Sequence, residues 1–401
     1  MQLRRRSLVW IIAASACGCA GRSPVAYWDA MARLDAPTAL TRTEEPDARR
    51  YAEAVVLLRE GRTSEARAEF EWLMRRARPA IARSAGRALG QLMMQDSDWA
   101  GLLALVRRGP GAGLYGALAT MPTEVLHHPE EPLVMSAPPS LSGSPTVRVV
   151  VNGHEYWFWV DTGAGMSVVA SDVAAATDVF LSDAQVDVGT PTSQEVSTIP
   201  AMIRDLRLGS VRVENHPVLV VDADALTFPM GNDTMKVDGI LGWPLLRQLH
   251  LELDYAQSTL TVLPQTTHHT EVRNLFWLET PLVSGTSQGG MDLIFLLDTG
   301  AHQTVLFEEY LQRETDHKTA DVSATQGGAG GFETSMAQMV YEVRFTAGGA
   351  DLVFDEILAT GNSFSSVVAA DGVVGTDAGS GRTMVVDYPC GRFELRESDP
   401  P

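Results

Sequence analysis

The spacing of hydrophobic residues changes once along the chain. In residues 46–108, apolar side chains recur every three or four positions among Ala, Leu, Arg and Glu, which predicts amphipathic helices. From Pro145 onward, the apolar runs are short and separated by turn residues, which predicts strands. The pattern therefore predicts a mainly β protein with a small α-helical N-terminal domain, residues 46–110.

The helical region contains an internal repeat. Leu58 and Leu92 are 34 residues apart, as are Ala66 and Ala100, and this is the period of tetratricopeptide repeats. A plain helical hairpin would give nearly the same structure. We expect a short helical, tetratricopeptide-like module that either rests on the neighbouring domain or offers a docking surface to a protein partner.

The β region follows a segment rich in Pro and Gly, residues 111–143, which predicts a linker that becomes an edge strand near Leu133. The next segments are two apolar runs, residues 147–151 and 156–160, around Asn152-Gly153. Asn-Gly between alternating apolar residues favours a hairpin with a type I′ turn.

A seven-residue stretch in the β region occurs twice. Residues 158–164, Phe-Trp-Val-Asp-Thr-Gly-Ala, return as residues 295–301, Phe-Leu-Leu-Asp-Thr-Gly-Ala. Two further pairs repeat: Asp238-Gly-Ile-Leu-Gly242 with Asp371-Gly-Val-Val-Gly375, and Leu253-Asp254-Tyr255 with Val386-Asp387-Tyr388. The offsets are 298 − 161 = 137, 371 − 238 = 133 and 387 − 254 = 133. The near-constant offset predicts a duplicated domain with two β lobes, residues 144–266 and 270–397.

Composition and charge narrow the function classes. The 401 residues carry a formal net charge of −19, which argues against nucleic acid as a partner because a phosphate backbone would be repelled. After the first twenty residues, no apolar run approaches the roughly 20 residues that span a bilayer. Of the 3 cysteines, only Cys390 lies in the predicted folded part, so no disulfide within a domain is expected.

The N-terminal residues 1–19 have the pattern of an export signal. Three arginines precede a short apolar core and then small residues. Small residues directly before a cysteine resemble the bacterial lipobox, in which the cysteine becomes lipidated. Cys17 fits this pattern slightly better than Cys19. We expect a periplasm-facing lipoprotein of the bacterial cell envelope, attached to the membrane by a lipid anchor, with a secreted protein as the alternative.

The repeated stretch supplies a pair of carboxylates. An apolar strand delivers Asp161 in one lobe and Asp298 in the other into a Thr-Gly turn. Two carboxylates that meet about 3 Å apart cannot both ionise, so the pair would share one proton. The ionised member could then take a proton from a water molecule while the protonated member polarises a peptide carbonyl. This chemistry requires no metal and no cofactor.

At these residues the chain resembles the aspartic peptidases of the pepsin and retropepsin clan, over roughly residues 145–395. Asp-Thr-Gly-Ala followed by an apolar-apolar-Gly sequence near the end of each lobe is specific to that clan, and both sets are present. Residues 297–306 are especially similar to a retroviral protease. The resemblance implies a bilobal pair of acid-protease β-barrels.

The resemblance also assigns roles to individual residues. Asp161 and Asp298 would be the catalytic pair, which Thr162, Gly163, Thr299 and Gly300 would support by hydrogen bonds across the lobes and from the backbone. Gly242 and Gly375 would let a strand pass close beneath each turn. The glycine-rich segment of the second lobe resembles a flap that closes over substrate, with its glycines at Gly327, Gly328, Gly330 and Gly331.

The chain departs from the family pattern in several ways. Ala164 and Ala301 replace the serine of pepsins, and the loss of a hydroxyl donor to the ionised aspartate predicts activity at mildly acidic to near-neutral pH. The first lobe has only residues 188–192 near its flap position, so we expect the working flap in the second lobe. His302 either lines the cleft or lies in an exposed loop.

We therefore expect an aspartic endopeptidase of the cell envelope that acts on a peptide or protein substrate. One chain would supply both aspartates as a monomeric pseudo-dimer, although lobes could also pair between chains. The alternative is an inactive lipoprotein that binds peptides or protein partners through its helical repeats and its bilobal clamp. Intact aspartates and Thr-Gly turns in both lobes weigh against that alternative, because a clamp would not need them.

Overall fold

The computed structural model describes residues 24–190, 195–230, 233–265, 273–328, 331–361 and 368–398. It is mainly β, with a helical N-terminal region followed by two lobes that repeat the same order of strands. The predicted fold class is confirmed by this architecture.

Seven helices of the described chain precede the first lobe. They are α1 (Pro24–Ala32), α2 (Ala36–Arg42), α3 (Pro46–Arg59), α4 (Thr63–Arg76), α5 (Pro79–Gln95), α6 (Trp99–Val106) and α7 (Ala112–Leu118). Asp35 and Asp98 cap α2 and α6, because each carboxylate accepts a backbone N–H in the first turn, at 3.0 Å in both cases. Helices α3 and α5 begin with proline, whose missing N–H is not needed in a first turn. The helical region thus begins before the predicted residue 46.

The segment predicted as a linker is largely ordered structure. It contains α7 and two strands, β1 (Val125–His127) and β2 (Leu133–Ser136). Strand β1 pairs antiparallel with β9 (Val211–Val221) of the first lobe. Strand β2 lies at a sheet edge, as expected near Leu133. The sequence did not predict α7, because its 7 residues are too few to show a clear helical period.

The first lobe is built around one large sheet. Its remaining elements are β3 (Thr146–Val151), β4 (His154–Val160), β5 (Ser167–Ala170), α8 (Ser171–Ala176), β6 (Phe180–Leu181), β7 (Val186–Gly189), β8 (Glu195–Leu208), β10 (Thr227–Met230), β11 (Asp233–Lys236), β12 (Gly239–Leu241), α9 (Trp243–Leu246), β13 (His250–Asp254) and β14 (Thr259–Leu263). Strands β3 and β4 form the predicted hairpin, and Asn152 and Gly153 both have positive φ, as a type I′ turn requires.

The second lobe repeats these elements. They are β15 (Leu275–Leu278), β16 (Thr280–Ser287), β17 (Asp292–Leu297), β18 (Val305–Phe307), α10 (Glu308–Arg313), β19 (Thr319–Gly328), β20 (Gly331–Ala347), β21 (Ala350–Thr360), β22 (Gly372–Val374), β23 (Arg382–Asp387) and β24 (Arg392–Glu397). A 3-10 helix, Thr376–Gly379, stands where the first lobe has α9. The order β16-β17-β22-β18-β21-β20-β19 matches β3-β4-β12-β5-β9-β8-β7 of the first lobe.

A shared sheet joins the two lobes. Its order is β2-β14-β13-β23-β24, so one strand of each lobe meets at the centre, where β13 pairs antiparallel with β23. Leu251 lies opposite Val386, and Leu253 lies opposite Met384. All four side chains are buried, so this pairing holds the lobes in one register.

The helical region packs on the outer face of the second lobe. Alternate residues of β17 point to opposite sides: Phe295 and Leu297 face the core shared by the lobes, whereas Ile294 and Leu296 join a cluster with helix residues such as Phe70 and Leu89. Burial on both faces explains why β17 reads as a continuous apolar run.

Among the described helices, none is long and apolar enough to cross a membrane.

Candidate active site

The two aspartates lie at the ends of equivalent strands. Strand β4 runs parallel to β12 and is followed directly by Asp161, whose N–H donates to Leu241 O at 3.0 Å. Strand β17 runs parallel to β22 and is followed directly by Asp298, whose N–H donates to Val374 O at 3.1 Å. The repeated apolar runs therefore place each aspartate by the same backbone pairing.

Each turn donates backbone N–H groups to its own aspartate. Asp161 Oδ1 accepts from Gly163 at 2.8 Å and from Ala164 at 3.0 Å. Asp298 Oδ1 accepts from Gly300 at 2.8 Å and from Ala301 at 3.1 Å. These bonds fix one oxygen of each carboxyl group and leave the other for chemistry.

Two buried threonines connect the lobes beneath the carboxyl groups. Thr162 N–H donates to Thr299 Oγ1 at 3.0 Å, and Thr162 Oγ1–H donates to Leu297 O at 2.8 Å. Thr299 makes the matching pair, to Thr162 Oγ1 at 3.0 Å and to Val160 O at 2.7 Å. Each hydroxyl thus donates to the opposite lobe and accepts from it.

The glycines of the turns allow the lobes to approach. A Cβ on Gly163 would lie 2.5 Å from the carboxyl carbon of Asp298, and a Cβ on Gly300 would lie 2.5 Å from that of Asp161. Gly242 and Gly375 lie beneath the turns. A Cβ on Gly242 would lie 2.5 Å from the backbone carbonyl carbon of Met166, and a Cβ on Gly375 would lie 2.7 Å from that of Gln303. A side chain at any of these positions would push the turns apart.

The two carboxyl groups are hydrogen-bonded to each other and titrate together. Burial, the charge of Asp298 and their shared hydrogen bond raise the pKa of Asp161 well above its ordinary value, against the two backbone donors. Burial also raises the pKa of Asp298, while the hydrogen bond from Asp161 and its own backbone donors lower it in part. The arrangement favours one proton shared by the pair, and the titration belongs to the pair rather than to either residue.

Behind each turn, the hydroxyl group of Ser167 or Thr304 accepts a hydrogen bond from the glycine beneath the turn, Gly242 or Gly375. The sequence did not indicate these hydroxyl groups or their further partners. In the first lobe, Ser167 Oγ accepts Gly242 N–H at 3.0 Å and hydrogen-bonds His216 Nε2 at 2.8 Å; His216 Nδ1 contacts Glu124. In the second lobe, Thr304 Oγ1 accepts Gly375 N–H at 3.1 Å. The repeat offset of 137 aligns Ser167 with Thr304 and could have indicated this pair.

The partners of these hydroxyl groups differ between the lobes. Thr304 Oγ1–H donates at 2.6 Å to Asp377, which belongs to the same lobe. Glu124, in contrast, precedes the first lobe in the chain. Burial raises the pKa of the Glu124 carboxyl, but the charge and hydrogen bond of His216 and the amide of Gln248 outweigh it, so this pKa lies below its ordinary value. No sequence pattern connected Glu124 with His216, because the contact joins distant segments.

The predicted flap of the second lobe is the hairpin of β19 and β20, in which Gly328 pairs with Gly331. Gly327 lies in the same hairpin, and Gly330 lies outside the described residues. Phe332 reaches the first lobe, where its ring packs edge-on against that of Phe228, with the ring centroids 6.4 Å apart. Phe228 stacks at 6.2 Å on Trp159, two residues before Asp161. The hairpin thus crosses from one lobe to the other on the side of the carboxyl groups.

The first lobe has a hairpin at the equivalent place, formed by β7 and β8. Val188 and Gly189 belong to it, whereas residues 191–194 lie outside the described chain. The register gives 5 residues between Gly189 and Glu195, against 8 between the equivalent Thr325 and Thr334. The expectation of unequal hairpins therefore agrees with the pairing.

His302 lies next to the carboxyl-bearing turn of the second lobe and is exposed. A Cβ on Gly143 would meet its imidazole ring, so the segment before β3 packs against it. Ser144 is fully buried in the same segment, and its hydroxyl donates to Gly300 O at 2.9 Å.

The leader with Cys17 and Cys19 lies outside the described residues.

One family of known proteins matches the first lobe. Residues 147–245 match a family model described as aspartyl protease. Among solved structures, the aspartic proteinase from Irpex lacteus is similar at 13% sequence identity and a TM-score of 0.42, over 67% of this chain and 98% of that chain. No curated protein sequence matches the chain significantly. The lobe that supplies Asp161 is therefore similar to the aspartyl proteases.

Proposed function

We propose that the protein is an aspartic endopeptidase that hydrolyses peptide bonds with water. The observation that carries this proposal is the hydrogen-bonded pair Asp161 and Asp298, one from each lobe, held by reciprocal threonine bonds. An inactive clamp would have no use for two half-buried carboxyl groups whose pKa values are raised, because placing them side by side costs stability.

The shared proton gives each aspartate a role, and the two roles exchange when the proton is on Asp298 instead of Asp161. Ionised Asp298 would take a proton from a water molecule while the oxygen of that water attacks the peptide carbonyl carbon. Protonated Asp161 would donate its proton to the carbonyl oxygen, which gives a neutral tetrahedral diol. Collapse of the diol breaks the C–N bond; the leaving nitrogen receives a proton from Asp298, and a diol hydroxyl returns one to Asp161. The pair then again holds one proton.

The test is cleavage of a mixed peptide library across pH 3 to 8. The wild-type chain should cleave, and both Asp161→Asn and Asp298→Asn should lose about 10²-fold or more of kcat/KM, since each removes one partner in proton transfer. Asp321→Asn, an exposed aspartate on β19, is the matched control and should retain activity. Equal cleavage by all four proteins would contradict the proposal.

A statine-type peptide mimic separates the peptidase from the binding clamp. Its hydroxyl would occupy the position of the attacking water, so binding should depend on both aspartates. Thermal stabilisation of the wild type that is lost in Asp161→Asn supports the peptidase. Stabilisation that persists unchanged in Asp161→Asn and Asp298→Asn supports the clamp.

We also propose that the protein acts in the bacterial cell envelope as a lipoprotein modified at Cys17. The support is the sequence of residues 1–19, in which arginines, an apolar core and small residues precede the cysteine. Labelling with a fatty-acid analogue should mark the wild type and Cys19→Ser but not Cys17→Ser. Labelling that is lost only in Cys19→Ser would move the modification to that residue.

We propose that the active unit is a monomer. The reciprocal hydrogen bonds of Thr162 and Thr299 and the sheet shared by the two lobes all form within one chain. Sedimentation at the concentration of the activity assay should therefore give the mass of one chain, and activity per molecule should not depend on dilution. Activity that falls in proportion to dilution would favour pairing of lobes between chains.

A further inference from the structure

The two lobes differ at the residue that follows each carboxyl-bearing turn. Gly242 and Gly375 identify the equivalent positions, since a Cβ on them would meet the backbone of Met166 and Gln303 respectively, at 2.5 Å and 2.7 Å. Gln303 is exposed, as expected beside an open cleft. Met166 is only 7% exposed, so another part of the chain covers it.

Helix α7 of the N-terminal region is that cover. Leu118, at its last turn, is 1% exposed and forms one cluster with Met166 and Leu219, against which Leu114 and Val188 also pack. The backbone of α7 also approaches the first-lobe hairpin: a Cβ on Gly113 would lie 3.2 Å from Val186 Cγ1. The helix therefore contacts both the residue that follows the first-lobe turn and the first-lobe hairpin.

At the equivalent position of the second lobe, Gln303 stays exposed, although the segment before β3 packs against its neighbour His302. Pairing in the two sheets makes Leu358 the counterpart of Leu219, and Leu358 is partly exposed. The second-lobe hairpin carries Phe332 and Met336, which are 46% and 71% exposed. The residue after the turn is thus covered by a helix in the first lobe and exposed in the second.

Contacts on both sides fix α7 in place. Before the last turn, Tyr115 stacks on Trp99 of α6 at 6.5 Å. After the helix, Thr123 O accepts from Asn215 Nδ2 at 3.3 Å, and Glu124 bonds the fully buried His216. Strand β1 then joins the first-lobe sheet. A segment held by stacking, a buried charged hydrogen bond and strand pairing is a fixed wall rather than a plug that leaves easily.

We propose that α7 determines substrate specificity by closing the first-lobe end of the cleft. A bound peptide can extend over the second lobe but meets helix α7, which Leu118 anchors, within a few residues of the scissile bond on the other side. The enzyme would therefore prefer substrates with a short or sharply turned segment on that side. This inference rests on the proposed peptidase function, because it assumes that peptides bind across Asp161 and Asp298.

The first experiment compares three statine-type mimics on the full chain by calorimetry: a short one, and the same core extended by several residues at its N-terminus or at its C-terminus. We expect one extension to weaken binding by about tenfold or more relative to the other, since the wall excludes it. Leu118→Ala and Met166→Ala should each relieve the penalty. Leu358→Ala, at the open end, is the matched control and should not. Equal affinities for the two extensions would overturn the proposal.

The second experiment does not depend on activity. Backbone hydrogen exchange should be about tenfold or more slower in residues 186–189, beneath α7, than in the equivalent residues 322–325. Leu118→Ala should remove this difference, whereas Leu105→Ala, the same change on α6 facing Gly90, should not. Equal exchange in both hairpins overturns the wall. A protected first hairpin in a chain that binds no mimic supports the wall and overturns the peptidase function.

Discussion

The two lobes share their chemistry and differ in their surroundings. Asp161 and Asp298 receive the same backbone bonds, and Thr162 and Thr299 make the same bonds across the interface. Around this centre, the first lobe is covered by α7 at its cleft end, whereas the second lobe is covered by helices on its outer face and keeps a longer, exposed hairpin.

If α7 acts as proposed, this difference would make the two ends of the cleft unequal for a bound peptide. A symmetric pair of lobes would bind a peptide in either orientation equally well. The helical N-terminal region contacts each lobe differently, so it removes that equivalence without changing the pair of carboxyl groups. The hydroxyl groups behind the turns show the same division, because Thr304 uses Asp377 of its own lobe while Ser167 reaches Glu124 through His216.

The largest expected effect concerns what the lobes share. Thr162→Val and Thr299→Val each remove a hydroxyl that donates to one buried group and accepts from another, at about 1–3 kcal/mol for each group left unpaired. We expect equal losses in the free energy of unfolding for the two variants, measured with urea. The two variants remove different hydrogen bonds, so the double variant should lose about the sum of the two; a smaller loss would show that one substitution already loosens the interface. Thr325→Val on the exposed hairpin is the control. Clearly unequal losses would show that the interface is not symmetric.

The next effect concerns what the lobes do not share. Glu124→Gln should cost about 1–3 kcal/mol near neutral pH, because it removes the charged partner of the buried His216. The lowered pKa of Glu124 means that its stabilisation is present above its unfolded value and is lost as the pH falls through the folded value. The difference between wild type and Glu124→Gln should therefore shrink in acid. A difference that stays constant from neutral to acidic pH would rule out this linkage.

A third prediction tests the carboxyl pair through stability. Because the pKa values of Asp161 and Asp298 are raised in the fold, the pair destabilises the protein progressively as the pH rises above the unfolded values of aspartate. Each unit of raised pKa corresponds to about 1.4 kcal/mol. Asp161→Asn should unfold at higher temperature than the wild type at neutral pH, and this advantage should disappear at about pH 3, where both aspartates are protonated in the unfolded chain. An advantage that is independent of pH would indicate a different cause.

The smallest effect concerns the hairpin that crosses the lobes. Phe332→Ala removes the edge-on contact with Phe228, a pair worth about 0.5–1.5 kcal/mol, so kcat/KM should fall by about 2- to 12-fold. Met336→Ala, on the same strand and more exposed, should change kcat/KM much less. The reverse ranking would place substrate contacts on Met336 instead of Phe332.

Sequence reasoning predicted the repeated parts and missed the contacts between unlike parts. The two Asp-Thr-Gly turns, the glycine strands and the hairpin at Asn152 were visible because local patterns encode them. Helix α7 was read as linker, since its 7 residues give no clear period. His216 and Glu124 carried no signal, because nothing local shows that residues 92 positions apart meet in a buried hydrogen bond.

The sequence by itself determined the mainly β architecture, the duplication and the identity of the paired aspartates. Period-two apolar runs specify strands, and a turn that needs glycine tolerates few alternatives. Only the tertiary structure decided which end of the cleft is covered and how the hydroxyl groups behind the turns are satisfied. Those outcomes depend on packing between distant segments, and the free energy of such packing is set by shape and burial rather than by any local pattern.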